Sequence, residues 1–219
     1  MMALMADPAP QPPGSYTEAD HPFASRGGLK LDAALAASGI DPAGMTCADL
    51  GCSTGGFVSC LLVRGAAKVY AVDTGYGVLD YRLRTDERVV VMERSNALHT
   101  APPPEVVQRG VDLVSIDLGW TKQDKALAAA LRWLRPGGHV ITLVKPHYEK
   151  PRDTPQRKGH GSPKPQALSD EEAQAISRQV LEQIDADPAL GLSVLGQCPS
   201  PIRGSKGGNL EVLAWLVRQ

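Results

Sequence analysis

The chain predicts an α/β fold built on a mostly parallel seven-stranded sheet whose last strand runs antiparallel. Three observations carry this. Short apolar, β-branched runs alternate with helix-like segments from Thr46 to Val144. Those runs are apolar on both faces, as strands under two layers of helices must be. The chain then closes with two strand-like runs around a turn-rich segment, SPIRGSKGGN, which reads as a hairpin.

Each element follows from its local pattern. Leu29 to Ser38 (LKLDAALAAS) has helical spacing, with Leu29, Leu31, Leu35 and Ala36 on one side and Gly39 as C-cap. Strands are predicted at Thr46–Leu50, Lys68–Val72, Val89–Met92, Leu113–Ile116, His139–Val144, Leu192–Gln197 and Leu210–Val217. The clearest helices are Phe57–Val63, Lys122–Leu134 and Ser169–Asp185, with Pro136-Gly137-Gly138 closing the second. Pro146 to Pro165 holds five prolines and is predicted as a loop. From Lys145 to Leu168 there are six Lys/Arg against two Asp/Glu, a local net charge of +4. Residues 1–20 are expected to be a flexible Ala/Pro-rich tail and 21–219 a single domain.

Composition narrows the class. A length of 219 residues at 42% hydrophobic content suits one domain with a full core. Net charge is -1, so a nucleic-acid site must be a local patch. No apolar run spans a bilayer, and MMALMADPAPQPPGSY has neither part of a secretory signal. Cys47, Cys52, Cys60 and Cys198 lack C-x-x-C spacing, so no metal is expected and a cytoplasmic protein with free thiols is.

The first strand ends D-L-G-C-S-T-G-G-F, Asp49 to Phe57, with Gly51, Ser53, Gly55 and Gly56 between strand and helix. Glycines there let a ligand approach the backbone and the helix-start N–H groups. The spacing is neither the dinucleotide G-x-G-x-x-G nor the lysine-bearing P-loop. An acidic residue before the loop suits a ligand with a cationic end, such as S-adenosylmethionine. Asp73 ends the second strand, where a carboxylate can accept both ribose hydroxyls of a nucleoside cofactor. Glu93 to Asn96, E-R-S-N, would lie near its adenine. The loop alone is also compatible with a tight strand–helix turn, and Asp73 would serve an NAD ribose equally well.

In an open parallel sheet, ligands bind beyond the carboxyl ends of the strands. Asp117 ends the fourth strand and Lys145 the fifth, and the reversed last strand brings its start, with Glu211, to the same rim. A lone carboxylate in an apolar strand needs a partner, and a rim lysine is the natural one. Singly, Asp117 reads as a helix cap, Lys145 as a solvated strand end and Glu211 as a structural ion-pair partner. Together, beside a cofactor loop, they read as a site that positions or deprotonates a hydroxyl.

These residues place the chain close to a known family. It resembles the FtsJ (RrmJ-like) ribose 2′-O-methyltransferases, most closely the TlyA branch, from Phe23 to near the C-terminus. The resemblance rests on S-R-G-G-L-K-L at Ser25–Leu31, the glycine loop, L-L-V-R-G-A-A-K-V-Y-A-V-D at Leu61–Asp73, and G-Y-G at Gly75–Gly77. It continues through R-V-V-V-M-E-R-S-N at Arg88–Asn96, V-K-P at Val144–Pro146 and G-G-N-L-E at Gly207–Glu211. It implies a Rossmann-like class I S-adenosylmethionine-dependent methyltransferase fold. It also implies a catalytic tetrad at Lys30, Asp117, Lys145 and Glu211. Cofactor contacts would fall on Asp49, Gly51, Ser53, Gly55, Gly56, Phe57, Asp73, Asn96 and Asp117. Without the resemblance, Lys30 reads as a solvated helix residue.

The resemblance also sets the expected partners. The acceptor would be RNA, most simply rRNA or a ribosomal subunit. The TlyA-like S4 RNA-binding domain has only the Pro-rich tail in its place, which implies a recruiting partner or a structured RNA. The chain departs from the family after Asp117, where it reads L-G-W-T-K, and after Lys145, where it reads P-H-Y-E. Trp120 and Tyr148 lie in these stretches and are candidates to stack on a splayed base. The basic loop reads equally as a phosphate track or a solvated linker. Two rival functions stand beside the leading one. One is methylation of a small hydroxylated molecule. The other is a non-catalytic RNA-binding or assembly role. Membrane lysis, for which TlyA-like proteins have also been named, has no amphipathic segment to support it.

Overall fold

A computed structural model describes residues 11–12, 14–150, 168–204 and 208–219. Its elements run α1 (Gly27–Ser38), β1 (Thr46–Leu50), α2 (Gly56–Val63), β2 (Lys68–Val72), α3 (Tyr81–Arg84) and β3 (Val89–Met92). They continue with α4 (Pro104–Arg109), β4 (Val111–Ile116), α5 (Gln123–Ala130), β5 (Leu134–Val144) and α6 (Pro146–Glu149). The last are α7 (Asp170–Asp185), β6 (Leu192–Pro199) and β7 (Val212–Arg218). The seven strands form one sheet in the order β3-β2-β1-β4-β5-β7-β6. Strands β1 to β5 pair in parallel, while β7 lies antiparallel between β5 and β6.

Strand alternation divides the core between two layers. In β1, Cys47 points into a cluster with Leu31 and Leu35 of α1 and Val58 and Leu61 of α2. Its neighbours Ala48 and Leu50 point the other way, toward Val106 of α4, Leu127 of α5 and Leu181 and Ile184 of α7. Each fully buried Leu or Val contributes roughly 1.5–3 kcal/mol, so both layers are held by many similar contributions. Helix α7 starts on a capping box: Glu172 N donates to Ser169 Oγ at 3.2 Å and Ser169 N to Glu172 Oε2 at 3.0 Å.

Some expectations are corrected. The helix expected over Lys122–Leu134 stops at Ala130, and Pro136-Gly137-Gly138 lies inside β5 rather than closing a helix. A register shift against β4 between Val111 and Leu113 absorbs the irregular backbone. In α1, Ala36 is exposed and Asp32 is buried instead. Asp32 pairs with Arg64, whose Nε donates to it at 2.8 Å. That buried pair also holds Gln11 and Gly14, which belong to the segment expected as a flexible tail. Gly14 N donates to Asp32 Oδ2 at 2.6 Å, Arg64 donates to the Gln11 carbonyl, and Tyr16 packs edge-on against Phe23. Residues 1–10 of that tail, and the basic loop beyond Lys150, lie outside the described residues.

The topology places a site. Strand order reverses between β1 and β4, whose ends are in register at Leu50 and Ile116. A crevice opens at such a switch point. Helix α1 reaches it by seating Gly28 against Phe23: a Cβ on Gly28 would fall 2.4 Å from Phe23 Cγ. We expect Gly28→Ala to unseat the Phe23 ring and cost about 1–3 kcal/mol as overpacking, read as a lowered urea midpoint at unchanged slope.

Candidate active site

At the switch point lies a cavity of about 290 Å³ whose wall includes Lys30, Asp49, Gly51, Phe57 and Asp117. Gly51 holds φ +93°, and a Cβ there would meet the Asp117 carbonyl at 2.6 Å. The loop after β1 therefore presses on the exit of β4, and only glycine allows both the conformation and the approach. Ser53 and Gly56 also line the cavity, while Gly55 caps α2 from a left-handed conformation.

Asp49 is 1% exposed. Its Oδ1 accepts from Ser115 Oγ at 2.8 Å, and its Oδ2 is buried without a partner. Burial is the main cause that pushes its pKa up to about 7; the Asp117 and Asp73 charges add to this, against the Ser115 hydrogen bond. An unpartnered carboxylate oxygen in a cavity wall calls for a cationic donor, and the ammonium group of S-adenosylmethionine fits that demand.

Asp73 lies outside the cavity wall but is tied to it. Ser53 N donates to its Oδ2 at 2.9 Å and Gly75 N to its Oδ1 at 2.7 Å. The E-R-S-N turn clamps the same region: Arg94 N donates to Gly75 O, Ser95 N to Asp73 O, and Gly77 N to Glu93 Oε1. Asn96 is exposed, and its Oδ1 accepts from Leu98 N at 2.9 Å within its own turn. The structure does not bring Asn96 into the cavity wall.

Two lysine–carboxylate pairs complete the rim. Lys145 Nζ donates to Asp117 Oδ1 and, at 3.3 Å, to the Leu118 carbonyl. Lys30 Nζ donates to Glu211 Oε2 at 2.6 Å, and these two residues are 8% and 4% exposed. Glu211 precedes β7 rather than standing within it, and its partner is Lys30 of α1, a residue that local pattern assigns to solvent. The Val144–Val212 register sets Lys145 across from Glu211. Lys30 and Asp117, one from each pair, share the cavity wall.

Sequence reasoning missed several neighbours. His147 carries a buried Nδ1 without a partner; burial holds its pKa down, opposed by the charge of Glu211 and reinforced by Lys145. Arg26 and Arg203 also line the cavity. The only signal for Arg203 was its place in a turn-rich segment. Trp120, 75% exposed with φ +58°, stacks on Tyr148 at 5.1 Å between ring centroids. Cys47, Cys52, Cys60 and Cys198 are free thiols, and burial raises the pKa of each. Among the described residues, no group of three His, Cys, Asp or Glu is placed to hold a metal ion, and no helix is long and apolar enough to cross a membrane.

A sheet of this order with such a crevice defines a Rossmann-like methyltransferase architecture. A methyltransferase of Mesorhizobium loti described as S-adenosylmethionine dependent shares the fold, with a TM-score of 0.56 at 16% identity over 84% of this chain and 96% of that one. The FtsJ-like methyltransferase family model matches residues 23–207, and the chain belongs to that family. It is 38% identical over 203 residues to the 16S/23S rRNA (cytidine-2′-O)-methyltransferase TlyA of Mycobacterium tuberculosis, covering 93% of this chain and 71% of that protein. Hemolysin A of Brachyspira hyodysenteriae is 34% identical, covering 89% and 77%. A solved Lactococcus lactis chain described as a candidate hemolysin superposes with a TM-score of 0.76 at 36% identity, over 90% of this chain and 89% of that one.

Two stability outcomes follow from the buried charges. Lys30→Met strands Glu211 and should cost about 3–5 kcal/mol, most of it regained in Lys30→Met/Glu211→Gln; denaturant unfolding of the two variants checks this. For Asp49, the folded state holds the proton more tightly than the unfolded chain. Its contribution is therefore present below about pH 4 and lost as pH rises through about 7. Asp49→Asn should gain stability relative to the parent between about pH 5 and pH 8, and a gain that does not grow with pH would contradict the assignment.

Proposed function

We propose that this protein is an S-adenosylmethionine-dependent RNA methyltransferase that modifies a ribose 2′-hydroxyl of ribosomal RNA. The observation that carries the reading is that the Lys145–Asp117 and Lys30–Glu211 pairs contribute Asp117 and Lys30 to the wall of one cavity, beside Asp49 with its unpartnered oxygen. Relatives named as rRNA (cytidine-2′-O)-methyltransferases support the acceptor class; besides the Mycobacterium tuberculosis protein, the Campylobacter jejuni TlyA is 30% identical over 200 residues.

Asp49 would receive the cofactor's ammonium group, with Gly51, Ser53, Gly55, Gly56 and Phe57 along its length. Asp73 has lone pairs left for the ribose hydroxyls, Asn96 would serve the adenine side, and Asp117 borders the methionine end. When bound, the cofactor supplies a methyl group made electrophilic by its sulfonium. The chain's own work is to present a nucleophile. Lys145 orients the 2′-hydroxyl and, having passed a proton along its hydrogen bond to Asp117, takes the hydroxyl's proton in turn. Glu211, fixed by Lys30 and across from Lys145 in the strand register, adds negative charge that favours the amine's cationic form once it has taken the hydroxyl's proton. Positioning of the hydroxyl for in-line attack supplies much of the remaining rate. Trp120 and Tyr148 offer a stacked aromatic face for an unpaired base beside Lys145.

The test is transfer of label from S-adenosylmethionine to ribosomal subunits. We expect one linkage in rRNA to become resistant to alkaline hydrolysis. Lys145→Ala should lower the rate about 10²–10⁴-fold while cofactor binding persists. Absence of label from every RNA, with cofactor binding intact, would move the acceptor to a small hydroxylated molecule.

A further inference from the structure

Two arginines at the cavity wall have no part in the proton chemistry above. Arg26 is the N-cap of α1, and Arg203 lies in the turn between β6 and β7. Both are exposed, and each is held by one exposed carboxylate on a peripheral segment. Arg26 Nη1 donates to Glu18 Oε1 at 2.7 Å. Arg203 donates through both Nη atoms to Asp170, the first residue of α7, at 2.9 and 2.7 Å. Exposed pairs of this kind add little net stability, so either can open without disturbing the fold.

The two-pronged grip on Asp170 is the geometry by which a guanidinium takes a phosphodiester. Both arginines also lie on segments that carry or touch the buried Lys30–Glu211 pair. Arg26 precedes Lys30 by one helical turn, on the same face. Next to Arg203, the Gly204 backbone rests on the other partner, where a Cβ would fall 2.8 Å from Glu211 Oε1. Arg203 also donates to the carbonyl of Gly208, three residues before Glu211, at 3.2 Å.

We infer that Arg26 and Arg203 form a phosphodiester clamp in which phosphates of the acceptor strand displace Glu18 and Asp170. The two carboxylates hold the arginines in position and exclude weaker anions until RNA arrives. Seating the phosphates would fix the acceptor ribose against the Lys30–Glu211 pair. The inference rests on the RNA reading given above and assigns that reading its backbone contacts.

Filter binding of the full chain to extracted 16S and 23S rRNA across a salt series tests it. Arg26→Gln/Arg203→Gln should weaken binding and flatten the slope of log affinity against log salt by about 1.4, roughly 0.7 for each single-strand phosphate that is no longer neutralised. Arg26→Lys/Arg203→Lys should keep most of the slope. Glu18→Gln/Asp170→Asn should tighten binding, because the competing carboxylates are gone. An unchanged slope in the glutamine variant, beside a parent that binds and methylates RNA, would overturn the clamp and leave the RNA reading standing. So would Glu18→Gln/Asp170→Asn binding no tighter than the parent. Equal loss of S-adenosylmethionine affinity in the arginine variants would overturn it too, since the arginines would then be supports of the cavity. A parent that neither binds nor methylates RNA would remove the RNA reading and the clamp together.

Discussion

The ion pair between Lys30 and Glu211 joins the first helix to the approach of the last strand, 181 residues apart in sequence. Neither group is tolerable alone at its depth. An unpaired ammonium or carboxylate so buried costs several kcal/mol, whereas the pair satisfies both. The consequence is architectural. Helix α1 must sit with its N-terminal turn at the sheet rim, and β7 must start there. The pair thereby brings α1, with Lys30, to the cavity at the β1–β4 switch point.

The reversed last strand makes this possible. Had β7 been parallel, its start would lie at the far edge of the sheet, and Glu211 would be a strand length from Lys145. Inserted antiparallel between β5 and β6, it delivers a carboxylate to the rim where β1, β4 and β5 end. The rim then gathers Lys30, Lys145, Asp49, Asp117 and Glu211, of which Lys30, Asp49 and Asp117 line the cavity. Four of these groups pair off, and Asp49 retains an oxygen without a donor. That oxygen is the observation on which the proposed cofactor contact rests.

The periphery follows a different rule. Buried pairs such as Arg64–Asp32 organise the chain, and that pair gathers in Gln11 and Gly14. The exposed pairs at Glu18–Arg26 and Asp170–Arg203 hold nothing of comparable size, yet their arginines line the cavity. Charge that is dispensable for folding and adjacent to a site is charge free to meet a ligand.

Much of this was legible in the sequence. Strands β1, β2 and β3 have the bounds their apolar runs dictate; β1 and β2 are buried on both faces, and a strand so placed carries its whole signal locally. The glycine loop, Asp73, Asp117 and Lys145 could be placed on one rim for the same reason: each directly follows a strand. Where the backbone is irregular the signal failed. Pro136-Gly137-Gly138 reads as a break, yet the sheet carries it within β5 through a register shift. Lys30 is the clearest limit. Helical periodicity gives a lysine in α1 no reason to be buried, and only the family resemblance singled it out; the sequence by itself determined the sheet, its rim and four of the five charged residues gathered there. Which lysine holds which carboxylate, that Asp49 lacks a second donor, and that Arg26 and Arg203 reach the cavity were decided by tertiary structure alone. Those facts depend on distances between segments that no local pattern encodes.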